Sequence, residues 1–220
     1  MPDGQYSFYL HSDDRTDIAA MATISTISQP LRGEFIRTAA TAGAVVYQVD
    51  ARLPALIPVF FAGQLSAVRL CAVMALGSGT WSSLTGLPDE PENGGAALPV
   101  SPETEYQRRR YTLTLQNGRS GERVESVLTE ASSRLRGDLL RNLIITGLAL
   151  HTTAPELPRL LASMPVPPGT VSELRVLVQQ MAGTADVRMA AVPEKPAEPA
   201  APATGGATRI KKNMRRAFGD

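Results

Sequence analysis

The sequence predicts a mainly α-helical protein with one short two-stranded β-ribbon. It reads as a strand–helix–helix unit that occurs twice, with helical extensions and a disordered C-terminal tail. Two observations carry this. First, residues 29–57 (QPLRGEFIRTAATAGAVVYQVDARLPALI) superpose without a gap on residues 133–161 (SRLRGDLLRNLIITGLALHTTAPELPRLL) at an offset of 104. The match aligns Leu31/Leu135, Arg32/Arg136, Gly33/Gly137, Arg37/Arg141, Gly43/Gly147, Leu53/Leu157 and Pro54/Pro158. Charges, glycines and prolines are shared while the apolar positions between them change size, which marks an internal duplication rather than two unrelated amphipathic helices. Second, each copy is preceded by a short segment that alternates apolar and polar residues, the period of a half-buried strand.

In the first segment, Gln5 to His11, the residues Tyr6, Phe8 and Leu10 fall on one face and Ser7, Tyr9 and His11 on the other. In the second, Tyr111, Leu113 and Leu115 face one way, and Arg110, Thr112, Thr114 and Gln116 the other. Aligning Tyr6, Phe8 and Leu10 with Tyr111, Leu113 and Leu115 needs an offset of 105, so one residue was gained or lost before the next helices. A lone strand cannot satisfy its own ladder hydrogen bonds. The duplication supplies a partner, so the two segments are expected to pair antiparallel.

Ser12-Asp13-Asp14 offers N-cap candidates for a helix reaching about Ile27. Pro30 suits the first turn of the next helix, Leu31 to Val49, whose apolar positions are Phe35, Ile36, Ala39, Ala42 and Val46. A glycine inside a helix costs about 1 kcal/mol relative to alanine. Its presence in both copies, as Gly43 and Gly147, predicts a close helix–helix approach. Asp50 to Pro54 turns the chain, and apolar helices follow to Gly77. In the second copy, residues 121–132 and 170–181 also follow helical spacing.

Two stretches cannot bury a core. Residues 77–102 are dense in Gly, Pro and Ser, and the sequence after Thr184 is rich in Pro and Ala. The expected divisions are a first module (1–77), a linker (78–105), a second module (106–183), a flexible linker (184–207) and a terminal helix (208–220). In that helix Ile210, Met214 and Phe218 form a stripe among Lys211, Lys212, Arg215 and Arg216, a short amphipathic basic segment. Such a segment could serve as a nonspecific DNA or membrane tail, though the ordered stripe after a flexible tether favours a protein partner's groove.

Composition excludes several classes. The net charge is +1, so basic surface must be local. Cys71 is the sole cysteine, which excludes an internal disulfide framework and fits a cytoplasmic setting. The opening MPDGQYSFYL has no basic segment before an apolar one, so no signal peptide is expected there, and the longest apolar run, residues 65–76, is short for a span and contains Arg69. Cys71 is expected in the core, Trp81 in the linker, and His151 at a helix end. No His, Cys or carboxylate cluster has ligand spacing, and Gly77-Ser78-Gly79-Thr80 lacks the lysine of a phosphate-binding loop. The expectation is a protein with no cofactor, no metal and no catalytic residue.

A two-stranded ribbon fits the DNA major groove. Its outward residues Ser7, Tyr9, His11, Arg110, Thr112, Thr114 and Gln116 can donate or accept hydrogen bonds. Arg109 and Arg110 lie beside it for the DNA backbone, and Arg32-Gly33 and Arg136-Gly137 would present free N–H groups and an arginine to phosphate. Alternation by itself favours the plain solvated face of a small sheet. The pattern RGDLLRNLIITGLALHTTAPELPRLL, matched more loosely by RGEFIRTAATAGAVVYQVDARLPALI, resembles ribbon-helix-helix proteins. More narrowly it resembles ParR, the centromere-binding adaptor of plasmid partition systems that use an actin-like ATPase.

That resemblance implies binding to repeated sites on double-stranded DNA, self-association into an array, and capture of a ParM-type actin-like filament by the tail. Two departures stand out. Family members usually carry one module per chain and dimerise, whereas this chain has two. The first copy is also not basic, since Asp3, Asp13, Asp14, Asp17 and Glu34 offset its arginines. A ribbon-helix-helix repressor or antitoxin, and a scaffold that binds no DNA, are the alternatives.

Overall fold

The structure is a computed structural model that describes residues 4–79 and 107–190, with side chains through residue 183. Strand β1 (Gln5–His11) pairs antiparallel with β2 (Arg108–Thr114). Helices α1 (Arg15–Ser25), α2 (Arg32–Val49), α3 (Leu53–Phe60) and α4 (Ala67–Gly77) follow the first strand. Helices α5 (Arg119–Glu130), α6 (Arg136–Thr153), α7 (Leu157–Ser163) and α8 (Val171–Ala190) follow the second. The repeat is therefore a strand and four helices, and the ribbon forms within one chain.

Local chemistry sets most of these limits. Asp14 caps α1 by accepting the Asp17 N–H at 3.0 Å, satisfying one of the donors a helix start leaves open. Both α3 and α7 begin Leu-Pro, and proline costs nothing in a first turn because its missing N–H would have no partner there. Several limits differ from those the sequence suggests; α3 opens at Leu53, inside the turn expected to reach Pro54, and α5 covers Arg119–Glu130 rather than 121–132. Pro30 belongs to a 3₁₀ turn, Gln29–Leu31, so α2 opens at Arg32. Helix α1 stops at Ser25, two residues short of Ile27. Strand β2 ends at Thr114 and leaves Gln116 outside the ribbon. Helix α8 runs to Ala190, past the expected boundary at 184, since the sequence 184–192 contains no proline or glycine and Pro193 is the first residue to forbid it.

Both copies build one core. Phe8 and Leu10 of β1, Leu113 of β2, Val45 and Val46 of α2, and Leu143, Ile144 and Leu148 of α6 are all essentially inaccessible and belong to one cluster. Its centre is the packing of α2 on α6. A methyl group placed on Gly43 would collide with the Leu143 carbonyl and sit 2.8 Å from its Cα. A methyl on Gly147 would meet the Ala39 backbone in the same way. Ala39 and Leu143 are equivalent by the 104-residue offset, as are Gly43 and Gly147. The two contacts are one contact made twice across a local two-fold axis. This confirms the close approach expected from the glycines, which accounts for their presence in mid-helix despite their propensity cost.

Gly43→Ala should therefore destabilise by about 2–3 kcal/mol, because the added carbon meets a backbone that cannot rotate away. Gly33→Ala is the control, since its methyl would find only the tip of Arg37 at 3.8 Å. Urea unfolding of both variants tests this, and a Gly43→Ala midpoint equal to that of Gly33→Ala would refute the crossing.

Candidate nucleic-acid interface

The ribbon has one buried and one open face, as the alternation predicts. Phe8, Leu10 and Leu113 are buried against the helices, and Phe8 stacks on Tyr111 with ring centroids 5.3 Å apart. The cross-strand pairs on the other face are Gln5↔Thr114, Ser7↔Thr112, Tyr9↔Arg110 and His11↔Arg108. Ser7 thus faces Thr112, the residue its own copy-to-copy offset of 105 assigns to it. The local two-fold axis passes through this pair.

The structure groups Ser7, Tyr9, His11, Arg110, Thr112 and Thr114 on this open face and adds Gln5 and Arg108. Both additions were readable from the same alternation carried one step further along each strand. The Arg108 guanidinium lies over the Tyr9 ring at 3.6 Å, a cation–π contact. Arg110 donates to Ser7 Oγ from Nε at 3.2 Å and from a terminal nitrogen at 2.9 Å. These contacts hold two flexible cations near fixed positions, so less rotamer freedom remains to be lost on binding. Arg109 has the opposite parity: it pairs with Leu10 and leans toward Tyr111, 5.3 Å from its ring. Burial raises the Tyr111 phenol above its ordinary pKa, with Arg109 and Arg32 opposing. Arg109 therefore lies on the flank of the ribbon rather than its open face. Gln116 lies on the turn into α5 and stands apart from the group.

Arg32 and Arg136 have a duty the sequence does not announce. Arg32 Nε donates to the Ile27 carbonyl at 2.8 Å and a terminal nitrogen donates to Ser25 O at 3.2 Å. Arg136 Nε donates to Ala131 O at 3.2 Å. Each arginine closes the C-terminal end of the preceding helix, where carbonyls lack partners. Neither α2 nor α6 has a side-chain N-cap at the starts that carry Gly33 and Gly137, but the Arg32 N–H expected to be free donates to the Gln29 carbonyl of the 3₁₀ turn. Gly137 packs under the ribbon, where a methyl would lie 3.4 Å from Ser7 O. Glu34 and Asp138 occupy the first turns of these helices, favourable toward the helix dipole and unfavourable toward phosphate.

The feature that sequence reading missed is a buried ion pair across the duplication. Asp17, counted above among the charges of the first copy, is fully inaccessible. It accepts the His11 backbone N–H at 2.9 Å and Arg141 Nε at 2.7 Å. A terminal nitrogen of Arg141 also reaches Asp17 at 2.7 Å and Asp14 at 3.2 Å. The carboxylate thus ties the end of β1 to α6. Burial raises its pKa above the ordinary value, and the His11 N–H and Arg141 pull it down without fully offsetting this. In the other half the counterpart Arg37 pairs with Glu34 of its own helix at 2.7 Å. The duplicated arginines therefore do different work, and 124 residues separate Asp17 from Arg141 with no local signal between them.

Cys71 is buried, and burial raises its thiol pKa, as suits a core residue. His151 lies in the last turn of α6, with Nδ1 3.2 Å from Pro155 O and Phe35 edge-on at 5.0 Å. Trp81, residues 80–105 of the linker expected at 78–105 and the terminal residues Ile210, Lys211, Lys212, Met214, Arg215, Arg216 and Phe218 lie outside the described residues. Among the described residues no group of His, Cys, Asp and Glu could hold a metal ion, and no helix is long and apolar enough to cross a membrane.

Fold and open face together define a single-chain ribbon-helix-helix protein, two modules folded on one another as a pseudo-dimer. Residues 4–74 and 109–178 each match the plasmid stability protein family, and the chain belongs to that family. The two matched stretches coincide with the two copies read from the sequence, and plasmid maintenance is the function they support. No curated protein and no solved structure matches the chain.

The Asp17 titration has a definite sign. A folded pKa above the unfolded one means that protonation favours the fold. This group's contribution to stability is therefore complete below the unfolded pKa and is lost as pH rises through the folded value. Arg141→Met removes the counter-charge and leaves the His11 N–H as the only group pulling the carboxyl down. The deficit should be about 3 kcal/mol at neutral pH, less than for a fully dry pair because the Arg141 side chain is 20% exposed. It should shrink as pH falls from neutrality toward the raised pKa of Asp17, where the carboxylate takes up its proton. Urea unfolding from pH 7 to pH 4 reads this, and a pH-independent deficit would contradict it.

Proposed function

We propose that this plasmid stability protein is a DNA-binding adaptor, not an enzyme. It binds repeated DNA sites through the open face of its ribbon and couples them to an actin-like ATPase filament. The observation that carries the DNA half is the face itself: an exposed antiparallel ribbon whose outward residues are donors and acceptors, with Arg108 and Arg110 held in place. A ribbon of this width enters a major groove, where arginine recognises guanine and glutamine recognises adenine through paired hydrogen bonds. Arg109 on the flank, and the start of α6, which has no side-chain cap, are suited to backbone phosphates. The acidic residues Glu34 and Asp138 temper that attraction, so base contacts carry a larger share of the affinity.

The filament half rests on the sequence of the tail. Residues 208–220 follow a Pro/Ala-rich stretch and combine an apolar stripe with five cations, Arg209, Lys211, Lys212, Arg215 and Arg216. Copies bound on neighbouring sites would present many such tails, and avidity would convert weak contacts into firm attachment. ATP hydrolysis belongs to the filament in this scheme.

Fluorescence anisotropy with repeats flanking the gene, against shuffled duplex over a salt series, tests the DNA half. Selective binding should persist near physiological salt, and Arg110→Ala should cost roughly tenfold on the selected site and little on shuffled DNA. Equal binding to both, fading steeply with salt, would reduce the interaction to phosphate attraction and sink the reading. Truncation after Ala207 should leave DNA affinity unchanged and abolish plasmid retention. Retention unaffected by that truncation would instead favour a plain repressor.

A further inference from the structure

The open face of the ribbon is not symmetric about its own axis. A ribbon made from two identical strands must present the same side chains on either side of its dyad. Here the dyad passes through Ser7–Thr112, and the offset of 105 makes Gln5 the counterpart of Arg110, Tyr9 that of Thr114, and Gly4 that of Arg109. On one side of the axis stand Tyr9↔Arg110 and His11↔Arg108, with Arg109 on the flank. On the other side stands Gln5↔Thr114.

The difference is one of chemistry. One side offers guanidinium groups, an aromatic ring and an imidazole. The other offers a carboxamide and a hydroxyl with its methyl group. The cationic side is also fixed in shape, since Arg108 lies on Tyr9 and Arg110 is bonded to Ser7. The two sides cannot make equivalent contacts with the same base step. A guanidinium matches the two acceptors on the major-groove edge of guanine, whereas a carboxamide matches the donor and acceptor of adenine.

Resting on the DNA-reading function proposed above, we infer that the ribbon reads a non-palindromic site. Guanine lies under the Arg110 side, adenine under the Gln5 side, and the centre of the site under Ser7 and Thr112. Two identical half-sites would always leave one side of the ribbon over the wrong bases. The duplication has in this way released the protein from the palindrome that two identical strands impose. A non-palindromic site also has a direction, so copies bound to direct repeats would all point the same way along the DNA.

In vitro selection by the full-length protein from a pool of randomised duplexes tests this. Competition anisotropy follows, on the selected site and on the two palindromes made by doubling each half about the ribbon centre. The enriched motif should lack a dyad, and each palindrome should bind about tenfold or more weakly than the selected site. Gln5→Arg places an exposed arginine at the position equivalent to Arg110. It should shift preference toward the palindrome built from the Arg110 half. Enrichment of a palindrome centred on one ribbon, or equal binding to all three duplexes, would overturn the inference while leaving DNA reading intact. Enrichment of no motif would overturn DNA reading and this inference with it.

Discussion

The contact on which the rest of the structure depends is the crossing of α2 and α6 at Gly43 and Gly147. Each glycine accepts the backbone of the opposite helix where any side chain would collide with it. The two helices come from opposite copies, so this contact fuses the modules into a single core. Chain connectivity matters less, since the segment joining the copies carries no pattern capable of burial. Once α2 and α6 cross, the strands that precede their modules reach the same side of the pair. Each strand then finds the partner it lacks, with Ser7 against Thr112 on the local axis.

From that arrangement follows the division of the ribbon. Its apolar face is consumed by the core, and its polar face has nowhere to go but outward. The chain holds the end of this platform with a buried charge rather than with more packing. Asp17 accepts the His11 N–H and the Arg141 guanidinium at once, joining the first strand to a helix of the second copy. A buried pair of this kind gives little net stability over an apolar replacement, but either partner left without the other is costly. Its value here is positional, since it sets where β1 ends and hence where Tyr9 and His11 stand.

Duplication within one chain has allowed the halves to diverge where two identical subunits could not. Arg141 serves the cross-copy pair while Arg37 serves its own helix. The extra cations are gathered on one side of the ribbon axis, and carboxylates Asp13, Asp14 and Asp138 line the cleft beside them. Arg32 and Arg136, in contrast, have kept the same task of closing the helix before them.

The strands, the two long helices and the meaning of Gly43 and Gly147 were legible in the sequence. Alternation and capping residues act over a few residues, and a repeat shows which of them matter. Ser7, Tyr9, Arg110, Thr112 and Thr114 could be placed on one face because a strand's period of two is a local property. The end of α8 was misjudged because composition thins out before helix-breaking residues begin. The partnership of Asp17 with Arg141, the closing role of Arg32, the position of Arg109 on the flank and the separation of Gln116 from the ribbon were decided by the tertiary structure alone. Each depends on which distant backbone or charge a side chain meets once α2 and α6 have crossed, and local periodicity carries no record of that.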